Sequence, residues 1–146
     1  MIRTIELALD NAQYADGDLM ANPVEIVEAI HPNGSTVIRS IVVVDTDDQG
    51  ATFSLLFFGS NPGNLGTLNG AMAITDAQAA MCIGHVIVDS YEDVGAQQVG
   101  TEANVQLMVR PEDGRTSLWV AAISGGTPTY ASGKMKVRIG LERHRE

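Results

Sequence analysis

Thr36-Val37-Ile38-Arg39-Ser40-Ile41-Val42-Val43-Val44, then Asp45-Thr46-Asp47-Asp48-Gln49-Gly50, then Ala51-Thr52-Phe53-Ser54-Leu55-Leu56-Phe57-Phe58, is the stretch that decides the fold class. Its first arm is β-branched or apolar at nearly every position and reads as a strand covered on both faces. In the second arm Ala51, Phe53, Leu55 and Phe57 share one side against Thr52 and Ser54, until Leu56 and Phe58 make the other side apolar as well. An Asp/Gly-rich turn between two such arms predicts a long β-hairpin.

The same grammar recurs downstream. Val105, Leu107 and Val109 alternate with Asn104, Gln106 and Met108, Pro111-Glu112-Asp113-Gly114 turns, and Thr116 to Ile123 returns, which predicts a second hairpin. Lys134-Met135-Lys136-Val137-Arg138-Ile139 places its charges on one face and its apolar side chains on the other, as a half-buried strand does. Thr4–Leu9, Val24–Ile30, Ile83–Asp89 and Lys134–Leu141 complete about eight expected strands, with turn chemistry at His31-Pro32-Asn33-Gly34 and Gly125-Gly126-Thr127-Pro128. One short helix is expected, opened by the capping-box spacing of Thr75-Asp76-Ala77-Gln78. Many short strands with little helix argue for an all-β chain, a jelly-roll-like antiparallel β-sandwich in a single domain over 1–146.

Two segments stand apart from the strands. Residues 1–10 form a possible N-terminal contact arm. Gly59 to Gly70 is too rich in Gly and Asn for regular structure, and a loop of that length is either functional or mobile. Strands apolar on both faces need cover beyond their own sheet, which either a neighbouring subunit or the chain's own loops and helix supply. Val37, Ile41, Val43, Leu56, Phe58 and Trp119 are the candidates for a subunit interface.

Composition bounds the function. With 146 residues and 45% hydrophobic content, the chain has the size of one ordinary domain. No run approaches the roughly 18 consecutive apolar residues of a membrane span, and Met1-Ile2-Arg3-Thr4-Ile5-Glu6 lacks a signal-peptide pattern, so synthesis in the cytoplasm is expected. Cys82 stands alone, which excludes an intrachain disulfide and a cysteine-based zinc site. A formal charge of −9 opposes nonspecific nucleic-acid binding. That charge is unevenly placed: residues 1–109 carry two basic and fourteen acidic side chains, −12, and residues 110–146 carry seven basic and four acidic, +3. Either a basic strand is neutralised by acidic neighbours in the same fold, or opposite regions meet different partners.

Catalytic patterns are missing. His31, His85 and His144 fall in a turn, a strand and the tail with no HExxH spacing, so no metal site is expected, and His85 with Asp89 reads as a solvated pair. Asp45, Asp47, Asp48 and Asp16-Gly17-Asp18 do not continue into an EF-hand loop and read as turn residues. GxSxG, GxxxxGK[ST] and GxGxxG are absent. The expectation is therefore no enzyme, no catalytic residues and no cofactor. A carbohydrate-binding module would need Trp119, Tyr14, Tyr91 and Tyr130 as an aromatic platform, and 5% aromatic content makes that thin.

Tyr14-Ala15-Asp16-Gly17-Asp18, Ile38 to Asp45, Leu55-Leu56-Phe57-Phe58 with Ser60-Asn61-Pro62, Ile74-Thr75-Asp76, the strand Gly84 to Val88 and Gly126-Thr127-Pro128-Thr129-Tyr130 occur in an order that resembles small virion proteins of tailed bacteriophages. The chain looks like their jelly-roll cement, or decoration, proteins over most of its length. That resemblance implies a dimer or trimer on the capsid exterior, bound to the major capsid protein and stapling its neighbouring copies, with no direct nucleic-acid or membrane contact. A neck, tail or fibre component of the virion is the alternative within the same class. The capsid-contact candidates are Ile2 and Arg3 in the N-terminal segment, Asn61, Asn64 and Leu65 in the long loop, and Lys134, Lys136 and Arg138 on the basic strand.

Overall fold

Alternation of inward apolar and outward polar side chains produces ten strands and one helix in the computed structural model, which describes residues 1–112 and 114–145. They are β1 (Ile2–Ala8), β2 (Leu19–Ile26), β3 (Ser35–Asp45), β4 (Phe53–Phe58), α1 (Asp76–Ala80), β5 (Cys82–Val88), β6 (Tyr91–Asp93), β7 (Gln98–Glu102), β8 (Leu107–Val109), β9 (Leu118–Ser124) and β10 (Lys134–His144). One sheet runs β1-β10-β3-β7-β6, with β8 also pairing β3; the other runs β2-β9-β4-β5. Every pairing is antiparallel. With β7 and β8 sharing one position beside β3, this is the two-sheet jelly-roll order, and β6 extends one edge.

Both expected hairpins are corrected. β3 lies between β10 and β7 in the larger sheet, while β4 lies between β9 and β5 in the smaller, so residues 45–52 cross from one sheet to the other. The buried Asp45 carboxylate builds that crossing by accepting the backbone N–H groups of Asp47 (3.0 Å), Gln49 (2.9 Å) and Gly50 (2.9 Å). Likewise β8 pairs with β3 and β9 with β2 and β4, so the segment between them is another crossing. Asp113, part of the turn read there, lies outside the described residues. Alternation specifies which face a side chain takes and is silent on which sheet the next strand joins. β2 also begins at Leu19 rather than Val24, because Pro23 and two register shifts disguise its alternation.

The core between the sheets holds Leu7, Ile26, Ile38, Ile41, Val43, Phe53, Leu55, Phe57, Val120, Val137 and Ile139, all essentially without solvent exposure. Along β3 one extra residue lies between the Ile38↔Leu141 and Ser40↔Gly140 pairs. This bulge lets both Ile38 and Ile41 face inward. On β7 Gly100 is required by close approach, since a Cβ there would stand 2.6 Å from Val43 and 2.9 Å from the Tyr91 ring.

The short helix forms as the sequence predicts. Thr75 caps it, accepting the Gln78 N–H, and Gln78 returns a side-chain contact to the Thr75 N–H. The N-terminal segment is a regular edge strand, paired with β10 from Ile2↔Gly140 to Ala8↔Lys134. No helix among the described residues is long and apolar enough to cross a membrane.

Candidate functional site

The outer faces of the two sheets differ in what covers them. On the four-stranded sheet, Phe58 and Ala121 join Leu19 and Leu65 in a second apolar cluster, with Leu56, Met72, Ile74, Met81, Cys82 and Trp119 packed around it. The 59–81 segment forms the cover. Leu65 is fully buried, and its N–H donates to Asn22 Oδ1 at 3.0 Å. Asn69 Nδ2 donates to Asp10 Oδ2 at 2.7 Å, Leu19 N to the Gly70 carbonyl at 2.8 Å, and Gln78 Nε2 to the carbonyls of Pro62 and Asn64, each at 2.9 Å. The long loop is thus docked on its own sheet.

Among the described residues the six-stranded sheet carries no such cover. Directly paired residues share a face, so one row across the sheet reads Glu6, Lys136, Val44, Val99, Glu92, and the next reads Thr4, Arg138, Val42, Thr101. Lys134 and Lys136 are exposed, and Arg138, Val42, Val44 and Val99 are half-buried. A groove of about 330 Å³ runs between Glu6, Val44, Lys134, Lys136 and Arg138. None of these three cations is ion-paired among the described residues.

The two ends of the sandwich differ in charge: one gathers arginines among carboxylates, and the other is acidic. At one end the 26–35 and 110–117 loops, the N-terminus and the last residues of the chain bring together Arg3, Arg110, Arg115, Arg143 and Arg145 around His31. Arg3 pairs with Glu28 at 2.8 Å, Arg143 donates to the Glu28 carbonyl at 3.3 Å, and Arg110 donates to the Asn33 carbonyl at 3.4 Å. Shallow clefts of about 570, 450 and 250 Å³ open beside the 31–34 turn. Desolvation, then the charges of Arg143 and Arg145, hold the His31 imidazole below its ordinary pKa. The Arg39 hydrogen bond and charge hold the Glu142 carboxyl below its usual range across a 2.6 Å ion pair.

At the other end, loops 9–18, 45–52 and 124–133 meet, and no Lys, Arg or His occurs in any of them. Asp10, Asp16, Asp18, Asp47 and Asp48 lie there. Asp18 accepts the Ala15 N–H, Asp47 accepts from Ser132 through both N–H and hydroxyl, and Asp48 accepts from Gln98. Among the described residues no group of three or more His, Cys, Asp or Glu is placed to hold a metal ion.

These surfaces sort the residues that the sequence singled out. Val37, Ile41, Val43 and Phe58 are buried within the chain, while Leu56 and Trp119 are half-buried at the loop-covered cluster. The chain's own sheet, loop and helix supply the cover that a neighbouring subunit could have given. Of the contact candidates, Leu65 is buried, and Asn61 and Asn64 are exposed but hold turns by accepting the N–H groups of Gly63 and Gly66. Ile2 is 62% exposed beside the arginine-rich end, Arg3 belongs to that end, and Lys134, Lys136 and Arg138 form the cationic stripe of the open sheet. The three tyrosines do not make a platform with Trp119. Tyr14 and Tyr130 stack edge-on inside the sandwich with centroids 6.0 Å apart, and the Tyr91 hydroxyl donates to the Ala51 carbonyl. Burial pushes all three phenols upward. Sequence reasoning missed the arginine-rich end, whose members come from separate loops and both chain termini.

The geometry defines a class: an antiparallel jelly-roll sandwich with one end rich in arginine and the other acidic, one sheet face sealed by its own loop and the other without such a loop among the described residues. No protein-family model matches the chain, and no curated protein matches it. Among solved structures it is similar to the K3 cleaved adhesin domain of Lys-gingipain from Porphyromonas gingivalis, at 18% identity and a TM-score of 0.38 over 89% of this chain and 70% of that one. It is also similar to VP2 of an infectious bursal disease virus subviral particle, at 16% identity and 0.38, with 97% of this chain covering 31% of that one. A chain of the native Kashmir bee virus virion shows 9% identity and 0.37 over 97% and 69%. Solved structures similar to this chain thus include a bacterial adhesin domain and a virion chain.

Proposed function

We propose that this protein is a non-enzymatic structural component of a virion, a cement or decoration protein that binds the exterior of a tailed-phage head and staples copies of the major capsid protein. The observation that carries the reading is the contrast between the two ends of the sandwich, one rich in arginine and the other acidic. An end rich in arginine, flanked by shallow clefts and opposed by an end whose three loops carry carboxylates and no basic residue, favours one orientation on a surface that presents carboxylates. Arginine suits this task because its planar guanidinium engages carboxylates through paired hydrogen bonds. Attachment by such contacts adds buried interface between capsid subunits and resists outward pressure without chemistry.

The test is to add the purified protein to heads lacking it and to measure co-sedimentation and heat resistance. Wild type binds and raises resistance, binding weakens as salt rises, and Arg115→Glu with Arg143→Glu abolishes it while the fold is retained. Absence of binding by the wild-type protein, or binding indifferent to both substitutions and salt, would count against the reading.

A further inference from the structure

We infer that the open face of the six-stranded sheet is occupied by a second copy of this chain, packed face to face about a two-fold axis that runs parallel to the strands between β3 and β7. The argument is one of register and charge. Adjacent strands lie about 4.8 Å apart, so the row Glu6, Lys136, Val44, Val99, Glu92 has a fixed spacing across the sheet. The proposed axis lays β3 over β7 of the second copy and β10 over its β6. Val44 then meets Val99 of the second copy, and Lys136 meets Glu92 of the second copy, each contact occurring twice. In the next row Val42 meets Thr101, and Arg138 approaches the Asp89-Ser90 turn, where Asp89 is exposed.

Charge selects this axis over the other simple arrangement. A two-fold axis across the strands would lay β10 over β10 and set Lys134, Lys136 and Arg138 against their own copies. Like charges opposed in this way are destabilising. With the axis along the strands, the half-buried valines lie at the centre, Lys136, which has Glu6 beside it in its own sheet, gains Glu92 of the second copy, and Arg138 gains Asp89 of the second copy. Self-complementarity of this kind is what an isologous two-fold interface requires.

The geometry has a functional corollary. Rotation about an axis parallel to the strands leaves both arginine-rich ends on the same side of the pair. Such a dimer presents two arginine-rich ends to one surface, and the second attachment becomes intramolecular. The dimer itself does not depend on the capsid reading, and its test uses the protein alone.

Sedimentation velocity of the full chain across a concentration series, with circular dichroism to confirm folding, decides the matter. Wild type is expected to be a dimer. Lys136→Glu and Glu92→Lys each place like charges in contact and should raise the dissociation constant by about tenfold or more. The double variant K136E/E92K exchanges the two charges and should recover the wild-type association. A wild-type monomer or trimer, single variants that still dimerise as wild type, or a double variant no better than the singles would overturn the proposal.

Discussion

Phe58, Leu65 and Ala121 on the smaller sheet are sealed beneath residues 59–81, whereas Val42, Val44 and Val99 on the larger sheet lie half-buried beside Lys134, Lys136 and Arg138. Both faces carry apolar side chains, and the chain handles them differently on each side. One side is closed by covalent continuity, because the link from β4 to β5 is long enough to fold back over its own sheet. On the other, β10 lies between β1 and β3 without a long connection to cover it, and its outward positions are charged. The lesson is that apolarity on both faces of a strand calls for cover without naming its source. The charges beside it mark the face that the chain's own long loop leaves uncovered.

Substitutions separate the two faces by what they destabilise. The largest expected effect is from Phe58→Ala, which empties a fully buried aromatic site under the loop and should cost about 3–5 kcal/mol in urea unfolding. Val44→Ala on the open face should cost under about 1 kcal/mol in the monomer, and equal losses at the two positions would erase the contrast.

A smaller effect should follow Asn22→Ala. It removes the side-chain oxygen that accepts the Leu65 N–H, at a cost of about 1–2 kcal/mol. Hydrogen exchange should then accelerate in residues 63–70 while β10 stays protected. Uniform acceleration would mean that the loop and the sandwich open together.

The smallest effect concerns pH at the arginine-rich end. His31 has a folded pKa below its unfolded one, so its contribution to stability is present above the ordinary imidazole value and is lost as pH falls through the folded value. Wild type should therefore lose slightly more stability on acidification than His31→Gln, measured by parallel melting curves. The same protonation adds positive charge, so head binding should strengthen as stability declines.

How far these features could be read from sequence depends on their range. β10 was legible because Lys134 to Ile139 alternates without interruption, and α1 because Thr75 and Gln78 carry their capping partners locally. The hairpins were misread because a crossing between sheets and a return within one use the same turn residues, and only the Asp45 contacts and the final pairings distinguish them. Leu65 and Met72 sit at irregular spacing in a Gly- and Asn-rich segment, so their role as cover emerges only when Leu56 and Phe58 are seen beneath them. The strands β6 and β7 were not anticipated, being short and, at Glu92, Asp93 and Gly100, poor in strand-forming residues. The basic surplus after residue 109 was visible, whereas its division between a sheet face and a loop end is a product of topology.

The most direct test of the contrast between the faces is hydroxyl-radical footprinting of the free protein at high dilution and again at assembling concentration. The account predicts that Leu65 and Phe58 are protected at both, while Val42, Val44 and Val99 are modified in the dilute sample and protected in the concentrated one. Modification of Leu65 and Phe58 in the dilute protein, or valines whose reactivity is the same at both concentrations, would contradict it.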